Sequence, residues 1–202
     1  MANTSQISAM PLLHSVFASR ASEQGLSQGL SMANKIALVI GGSVLLALSA
    51  HIKVPFYPVP LTMQTMLVLL IGMSFGSRLG FATIIAYLAQ GAVGLPVFAG
   101  GAGLAYMAGP TGGYLFGFAV SAFVVGLLAE KGWGKSYASM ALAMVIGNLV
   151  IYAFGVTYLS SIVGSFEKGI QFGLAPFIYG DVLKIVIATA ALPLAWKYLP
   201  KA

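Results

Sequence analysis

Cysteine is absent from this chain, and charged side chains are scarce. None of the 202 residues is a cysteine, so disulfides, cysteine-ligated zinc and iron–sulfur clusters are excluded. Charged residues make up 7% of the chain and hydrophobic residues 59%, whereas an ordinary soluble domain is about 25% charged. Because so little charge cannot cover a water-soluble globule, lipid must solvate most of the exterior. The composition therefore predicts an integral membrane protein.

Residues that could carry enzymatic chemistry are also few. The histidines, His14 and His51, are far apart in the sequence, and no metalloprotease, serine-hydrolase, cysteine-based or phosphate-loop pattern occurs. We therefore expect a protein that is not an enzyme, with no catalytic residue, no metal site and no cofactor. The net charge of +6 comes from basic residues scattered between apolar segments, which argues against a nucleic-acid partner.

Apolar runs recur along the chain between glycine, proline and charged residues. A bilayer span needs roughly 20 mostly apolar helical residues, because backbone groups in lipid must be satisfied within the helix. The runs predict an all-α integral membrane fold with six transmembrane helices at about 35–52, 61–76, 79–95, 112–130, 137–160 and 177–198. The second and third spans are short, and we expect a tight turn between them at Gly76-Ser77-Arg78.

Positive charge predicts the orientation of these spans, since cytoplasmic segments are enriched in lysine and arginine. With both termini cytoplasmic, the inner side collects Arg20, Lys35, Arg78, Lys131, Lys135, Lys197 and Lys201, and the outer side only Lys53 and Lys168. We therefore predict a multi-pass protein of the bacterial inner membrane with both termini inside. Residues 1–32 form a predicted polar cytoplasmic extension, and residues 33–202 the transmembrane domain.

Two charged residues near the start of the last predicted span stand out. Asp181 and Lys184 are three residues apart, and side chains at this spacing share one helix face. Ionisable groups within a span are costly and usually face a bundle interior or a cavity. The pair could form a solute site near the outer side. It could instead be a neutralised ion pair that locks the helix end, or Asp181 could be a helix N-terminal acid that complements the helix dipole.

The predicted outer loop between the third and fourth spans is uncharged and bears aromatic residues. It contains Gly101, Ala102 and Tyr106, and Tyr114 follows it. Such a segment favours backbone folded over a pocket, where amides and rings contact a partly apolar ligand. A re-entrant packing loop is the alternative.

Two further features lie on the same predicted side. The segment 55–60 is amphipathic and contains Phe56. Gln64 lies just inside the second predicted span and could supply a buried amide. Both features are compatible with a pocket there.

Small residues form a stripe on the first predicted span. Ala33, Ala37 and Gly41 recur every four residues, so they share one helix face. Such stripes allow helix backbones to approach closely in lipid. The stripe could pack within this chain or against another subunit, and the spacing leaves both alternatives open.

Ordered motifs recur through the membrane portion of the chain. They are Val54-Pro55 with Pro58-Val59-Pro60 and Gln64, Gly94-Leu95-Pro96-Val97-Phe98 with Gly100-Gly101, Gly109-Pro110-Thr111-Gly112-Gly113-Tyr114, and Pro176-Phe177 with Gly180-Asp181 and Lys184. Over roughly residues 30 to 200 the chain resembles the BioY family, the biotin-specific substrate-binding subunits (S components) of energy-coupling factor (ECF) transporters.

The resemblance implies a fold, a function and partners. It implies the six-helix architecture of ECF S components, and high-affinity capture of biotin for uptake across the bacterial inner membrane. The implied partners are a transmembrane coupling subunit and ABC-type ATPase subunits. A carrier of another vitamin with the same architecture is the nearest alternative, and a membrane enzyme or a structural assembly protein is a more distant one.

The resemblance also implies roles for particular residues. The expected biotin-binding residues are Asp181, Lys184, Gln64, Gly101, Ala102, Tyr106, Tyr114 and Phe56. The stripe of Ala33, Ala37 and Gly41 resembles the docking face for the coupling subunit. This chain departs from some relatives in having Ala102 and Leu115 where they have asparagine and arginine, so those polar contacts must be absent or supplied differently.

Overall fold

The computed structural model of the protein describes the backbone of residues 31–198 and the side chains of residues 31–190. These residues form α1 (Met32–His51), β1 (Lys53–Val54), β2 (Leu61–Thr62), α2 (Gln64–Ala92), α3 (Gly103–Met107), α4 (Gly112–Glu130), α5 (Tyr137–Val163), α6 (Phe166–Gly173) and α7 (Ile178–Tyr198). The predicted helical class is confirmed for the described residues. The predicted extension 1–32 lies outside them apart from its last two residues.

Helix α2 folds back on itself at Gly76, whose φ of 81° and ψ of 179° are readily adopted only by glycine. Gln64 Nε2 lies 2.7 Å from Tyr87 Oη, 23 residues further on, although a straight helix of that length rises about 35 Å. A Cβ on Gly80 would lie 3.2 Å from Gly72 Cα. The two halves, 64–75 and 77–92, are therefore antiparallel neighbours.

The reversal lies in the tight turn that the sequence predicts, but the predicted span bounds 61–76 and 79–95 are too wide. Leu61–Thr62 pairs with Lys53–Val54 as an antiparallel strand, so the helix begins only at Gln64, and it ends at Ala92. The interval between the fifth and sixth predicted spans, 161–176, holds a short helix that was not predicted, since Phe166–Gly173 forms α6.

Four of the described helices are long and apolar enough to cross a membrane. They are α1, α2, α4 and α5, and the pair α6 and α7, which meet at a bend of 49°, qualifies as a fifth span. The structure therefore supports four to five membrane-capable helical elements, of which α2 is a hairpin.

Helix α4 holds the turn of this hairpin. A Cβ on Gly126 would lie 2.3 Å from Ser77 N and 2.5 Å from the Gly76 carbonyl carbon, so the two backbones touch. Glu130 Oε1 accepts hydrogen bonds from Ser77 N and Ser77 Oγ, each at 2.8 Å. Because the first N–H groups of a helix lack partners within it, this carboxylate caps the second half of α2.

The connecting segments 52–63, 93–111 and 164–177 gather at the opposite end of the bundle, which we call the loop end. Lys53 Nζ donates to Ala99 O across it. Tyr158 Oη donates to Ala108 O at 2.9 Å. These bonds tie the β-hairpin and the end of α5 to the 93–111 connection.

The outer surface of the described helices is apolar. Ile40, Leu48 and Leu149 are 55%, 60% and 62% exposed, while polar side chains such as Ser43 and Ser121 are fully buried. An exterior of this kind is unfavourable in water and is the expected one for helices surrounded by lipid.

The small-residue stripe of α1 faces away from the rest of the described chain. Ala33, Ala37 and Gly41 are exposed, and a Cβ on Gly41 would meet no heavy atom within 4 Å. A Cβ on the next residue, Gly42, would lie 2.7 Å from Thr83 Cγ2. The alternative in which the stripe packs internally therefore does not hold for the described residues.

Candidate ligand-binding cavity

A cavity opens at the loop end, between α2, α4, α5 and α7. Its empty volume, which includes space open to solvent, is about 520 Å³. The lining is mostly apolar and aromatic, with a few polar groups. It consists of Val59, Pro60, Thr62, Gln64, Thr65, Ala99, Tyr106, Thr111, Tyr114, Leu115, Phe118, Ile151, Tyr152, Phe177 and Lys184.

Asp181 is the centre of a hydrogen-bond network behind the cavity wall. It is 3% exposed and does not itself line the cavity. Its Oδ1 accepts from Lys184 Nζ at 2.8 Å and from Thr65 Oγ1 at 3.0 Å, and its Oδ2 accepts from Tyr152 Oη. Donors from α2, α5 and α7 thus satisfy the carboxylate, as a buried charge requires.

Lys184 belongs both to this network and to the cavity lining. Its side chain is 12% exposed. An ammonium has three N–H donors, and all three have acceptors: Thr62 O at 2.7 Å, Thr65 Oγ1 at 3.0 Å and Asp181 Oδ1 at 2.8 Å. The pair with Asp181 is therefore an ion pair that joins α7 to the loop end and also borders the cavity. A ligand that accepts from Lys184 must replace one of these acceptors.

Gln64 begins α2 and places an amide at the cavity. It is 4% exposed, and its Nε2 donates to Tyr87 Oη at 2.7 Å. Tyr87 Oη in turn donates to Val97 O at 3.0 Å. Since an amide nitrogen has two N–H groups, this chain of bonds uses one of them and leaves the second for a ligand.

The short helix α3 brings Tyr106 to the cavity. The ring of Tyr106 stacks on Phe98 at a centroid distance of 5.1 Å and an interplanar angle of 15°. Phe98 in turn fills the space beside Gly91, since a Cβ on Gly91 would lie 1.9 Å from Phe98 Cζ. A Cβ on Gly101 would lie 3.4 Å from the Tyr106 ring, and Ala102 is the N-cap residue of α3.

Tyr114 is held against the opposite part of the lining. Its ring stacks on Phe177 at 6.3 Å, and its Oη donates to Gly173 O at 2.7 Å. A Cβ on Gly155 would lie 2.3 Å from Tyr114 Cδ1, so glycine at that position of α5 makes room for the ring. Leu115 also lines the cavity.

The structure brings together some of the predicted binding residues and separates others. Gln64, Tyr106, Tyr114 and Lys184 line the cavity. Asp181 lies behind the wall, one hydrogen bond from three lining residues. Three others do not line the cavity: Gly101 and Ala102, which precede and support Tyr106, and Phe56, which is 43% exposed.

Four polar residues of the cavity lining were not predicted as binding residues: Thr62, Thr65, Thr111 and Tyr152. Tyr152 could have been predicted from the sequence, because it lies inside an apolar span and a buried tyrosine hydroxyl usually needs a hydrogen-bond partner. With Asp181 as the predicted buried acid, the two could have been paired. Nothing in the sequence distinguished the threonines as site residues, since hydroxyl side chains are common near helix starts.

The fold and the cavity define a helical membrane protein with a small-molecule site at one end of its bundle. Comparison with known proteins gives the family: the BioY family model matches residues 19–201. The chain belongs to the BioY family.

Characterised relatives agree with this assignment. A relative from Thermotoga maritima, named biotin transporter BioY, is 43% identical over 72% of this chain and 86% of its own length. A biotin transporter BioY from Rhizobium etli is 40% identical over 72% of this chain and 82% of its own length.

A solved structure shares the fold. The crystal structure of the S-component for biotin from an ECF-type ABC transporter superposes with a TM-score of 0.67 over 83% of this chain and 95% of that chain. At 23% identity this likeness concerns the fold alone.

Proposed function

We propose that this chain captures biotin and acts as the substrate-specific subunit of an ECF-type uptake system. Family membership and the names of its relatives support the proposal, and they favour transport over catalysis. The observation that carries it is the network of Asp181, Lys184 and Tyr152 beside a mainly apolar cavity. Biotin combines a polar ureido ring with an apolar bicyclic body, so it needs a lining of this mixed kind.

In this proposal the polar and apolar parts of the lining have different tasks. Gln64 and Lys184 donate to oxygen atoms of biotin, either the ureido carbonyl or the valerate carboxylate. Tyr106 and Tyr114 pack on the bicyclic body. Asp181 acts by holding the charged end of Lys184, and the segments with Phe56, Gly101 and Ala102 shape the entrance.

Binding by the purified protein tests this proposal. Titration calorimetry of the wild-type protein with biotin should show saturable binding. Asp181→Asn should lower the affinity tenfold or more, since each hydrogen bond to a charged group contributes about 1.5–3 kcal/mol. Glu167→Gln, which removes an exposed carboxylate from α6, is the matched control and should bind as the wild type does.

The outcomes separate the alternatives. Absence of biotin binding together with binding of another vitamin would favour the carrier of a different solute. Unchanged binding by Asp181→Asn would remove that residue from the site.

The proposed topology has six crossings, both termini in the cytoplasm and the loop end outside. Counting the two halves of α2 separately, with α1, α4, α5 and the α6–α7 pair, makes six segments. The basic residues Lys35, Arg78, Lys131 and Lys135 lie away from the loop end, which is the distribution expected of a cytoplasmic face.

The absence of native cysteine allows a direct test of this topology. A membrane-impermeant thiol reagent added to intact cells should label Tyr57→Cys, at a loop-end residue that is 88% exposed. It should label Lys135→Cys, which is also exposed, only after the membrane is permeabilised. The reverse pattern would contradict the proposed orientation.

The proposed partners are a transmembrane coupling subunit and ABC-type ATPase subunits. The exposed stripe of Ala33, Ala37 and Gly41 supports docking of the coupling subunit on α1, because small side chains permit close helix approach. Ala37→Trp should leave biotin binding intact and block uptake through a coupling module. Leu149→Trp, at an exposed apolar position of α5, should preserve both, and persistent uptake by Ala37→Trp with an intact complex would refute the docking face.

A further inference from the structure

The hydroxyl of Tyr152 lies at the boundary between the cavity and the buried network. Tyr152 lines the cavity from α5, and its Oη donates to Asp181 Oδ2 on α7. Among the described residues, three cavity-lining side chains form hydrogen bonds with Asp181: Thr65, Lys184 and Tyr152.

The direction of this hydrogen bond follows from the other partners of Asp181. An ionised carboxylate has acceptors only, and its Oδ1 already accepts from an ammonium and a hydroxyl, Lys184 at 2.8 Å and Thr65 at 3.0 Å. A tyrosine hydroxyl has one proton, and Tyr152 gives that proton to Oδ2. The lone pairs of its oxygen are then what it can offer to a molecule in the cavity.

Gln64 offers the opposite polarity at the same cavity. Its Oε1 accepts from Thr62 Oγ1 at 3.3 Å, and one N–H of its amide goes to Tyr87. The second N–H, a donor, remains, together with the second lone pair of Oε1. The lining therefore combines an oriented acceptor with an oriented donor.

We infer that Tyr152 is a specificity-determining residue that accepts a hydrogen bond from one ureido N–H of biotin, and that Asp181 is the positioning residue that sets its polarity. The inference rests on the proposed function, because it concerns how biotin is recognised. The ureido ring carries N–H donors on both sides of a carbonyl acceptor. An acceptor at Tyr152 and a donor at Gln64 match two neighbouring groups of that ring.

Two carbamate analogues of biotin test the inference, because in each of them a ring oxygen replaces one ureido N–H. Wild-type protein should bind the analogue that lacks the N–H read by Tyr152 about tenfold or more weakly than biotin, since two acceptors then face each other. Tyr152→Phe should lower the affinity for biotin by about tenfold and leave the affinity for that analogue unchanged or higher. The other analogue should lose affinity in the variant as biotin does.

Asp181→Asn provides a second and sharper measurement. Its Oδ1 would stay on the Lys184 ammonium, which repels an amide N–H, so Nδ2 would face Tyr152 and donate to it. The tyrosine proton would then turn toward the cavity, and the hydroxyl would become a donor. The ratio of biotin affinity to carbamate affinity should therefore fall by about tenfold or more below the wild-type ratio, which a merely destabilised site would not produce.

Tyr137→Phe is the matched control, because it removes a tyrosine hydroxyl from the exposed start of the same helix. It should bind all three ligands as the wild type does. Titration calorimetry and competition against labelled biotin on the full-length protein measure the affinities.

The outcomes distinguish the two proposals. If the wild type does not bind biotin, the proposed function fails. If it binds biotin, but Tyr152→Phe and Asp181→Asn change the affinities for biotin and both carbamates by one common factor, or leave them unchanged, the role of Tyr152 is refuted and the function stands. If Tyr152→Phe does not fold, the ratio measured for Asp181→Asn decides.

Discussion

Replacing Gly126 with alanine should force α4 away from the turn of the α2 hairpin. The new Cβ would lie 2.3 Å from Ser77 N and 2.5 Å from the Gly76 carbonyl carbon, whereas favourable contacts between carbon atoms lie at about 3.5–4.0 Å. Both neighbours are backbone atoms, so no side chain can rotate to relieve the clash. The two elements must separate by about 1 Å to restore contact distances.

Two contributions set the magnitude of this effect. Overpacking of a tight contact costs about 1–3 kcal/mol. The separation also stretches the two bonds of 2.8 Å from Ser77 to Glu130, each of which would contribute about 1.5–3 kcal/mol if fully buried and less at this exposed carboxylate. We expect a loss of about 2–4 kcal/mol in the free energy of unfolding, or roughly 5–15 °C in the melting temperature.

Thermal unfolding of the detergent-solubilised protein measures this loss, and Gly41→Ala is the matched control. A Cβ on Gly41 meets no heavy atom within 4 Å, so alanine there should be neutral or stabilising by about 0.5–1 kcal/mol, the ordinary difference between glycine and alanine within a helix. Melting of Gly126→Ala at the wild-type temperature would refute the close approach of α4 to the turn.

Two further predictions concern the cavity. Gly155→Ala would place a Cβ 2.3 Å from Tyr114 Cδ1, so it should displace that ring from the lining and weaken biotin binding in calorimetry; unchanged affinity would show that the ring does not contact the ligand. Lys184→Met should destabilise the protein by about 3–5 kcal/mol because it leaves Asp181 as a buried charge without its cation, and thermal unfolding of the double variant with Asp181→Leu should recover much of that loss.

The sequence identified part of the site because polar residues are conspicuous within apolar runs. Gln64, Asp181 and Lys184 all stand where a membrane span would otherwise be apolar, and the structure places them in the cavity lining or directly behind it. The aromatic candidates were harder to predict. Tyr106 reaches the cavity and Phe56 does not, although both were predicted to lie in outer loops, because only Tyr106 is carried by a short helix and stacked on a buried ring.

Composition and the spacing of breakers alone determined the membrane class, the helical architecture and the position of the turn at Gly76. These properties depend on local features, namely the length of an apolar run and the conformational freedom of a glycine. The resemblance to one family added biotin as the proposed ligand. The orientation of the termini stays a prediction.

Only the tertiary structure decided which partners the polar residues contact. Asp181 meets Thr65, 116 residues away in the chain, and Tyr152, 29 residues away, and no spacing rule within one helix predicts such pairs. The exposure of Gly41 likewise depends on which face of α1 the α2 hairpin covers. The physical reason is the same in both cases: a side chain's partners depend on how helices pack, whereas periodicity specifies only which residues share a face.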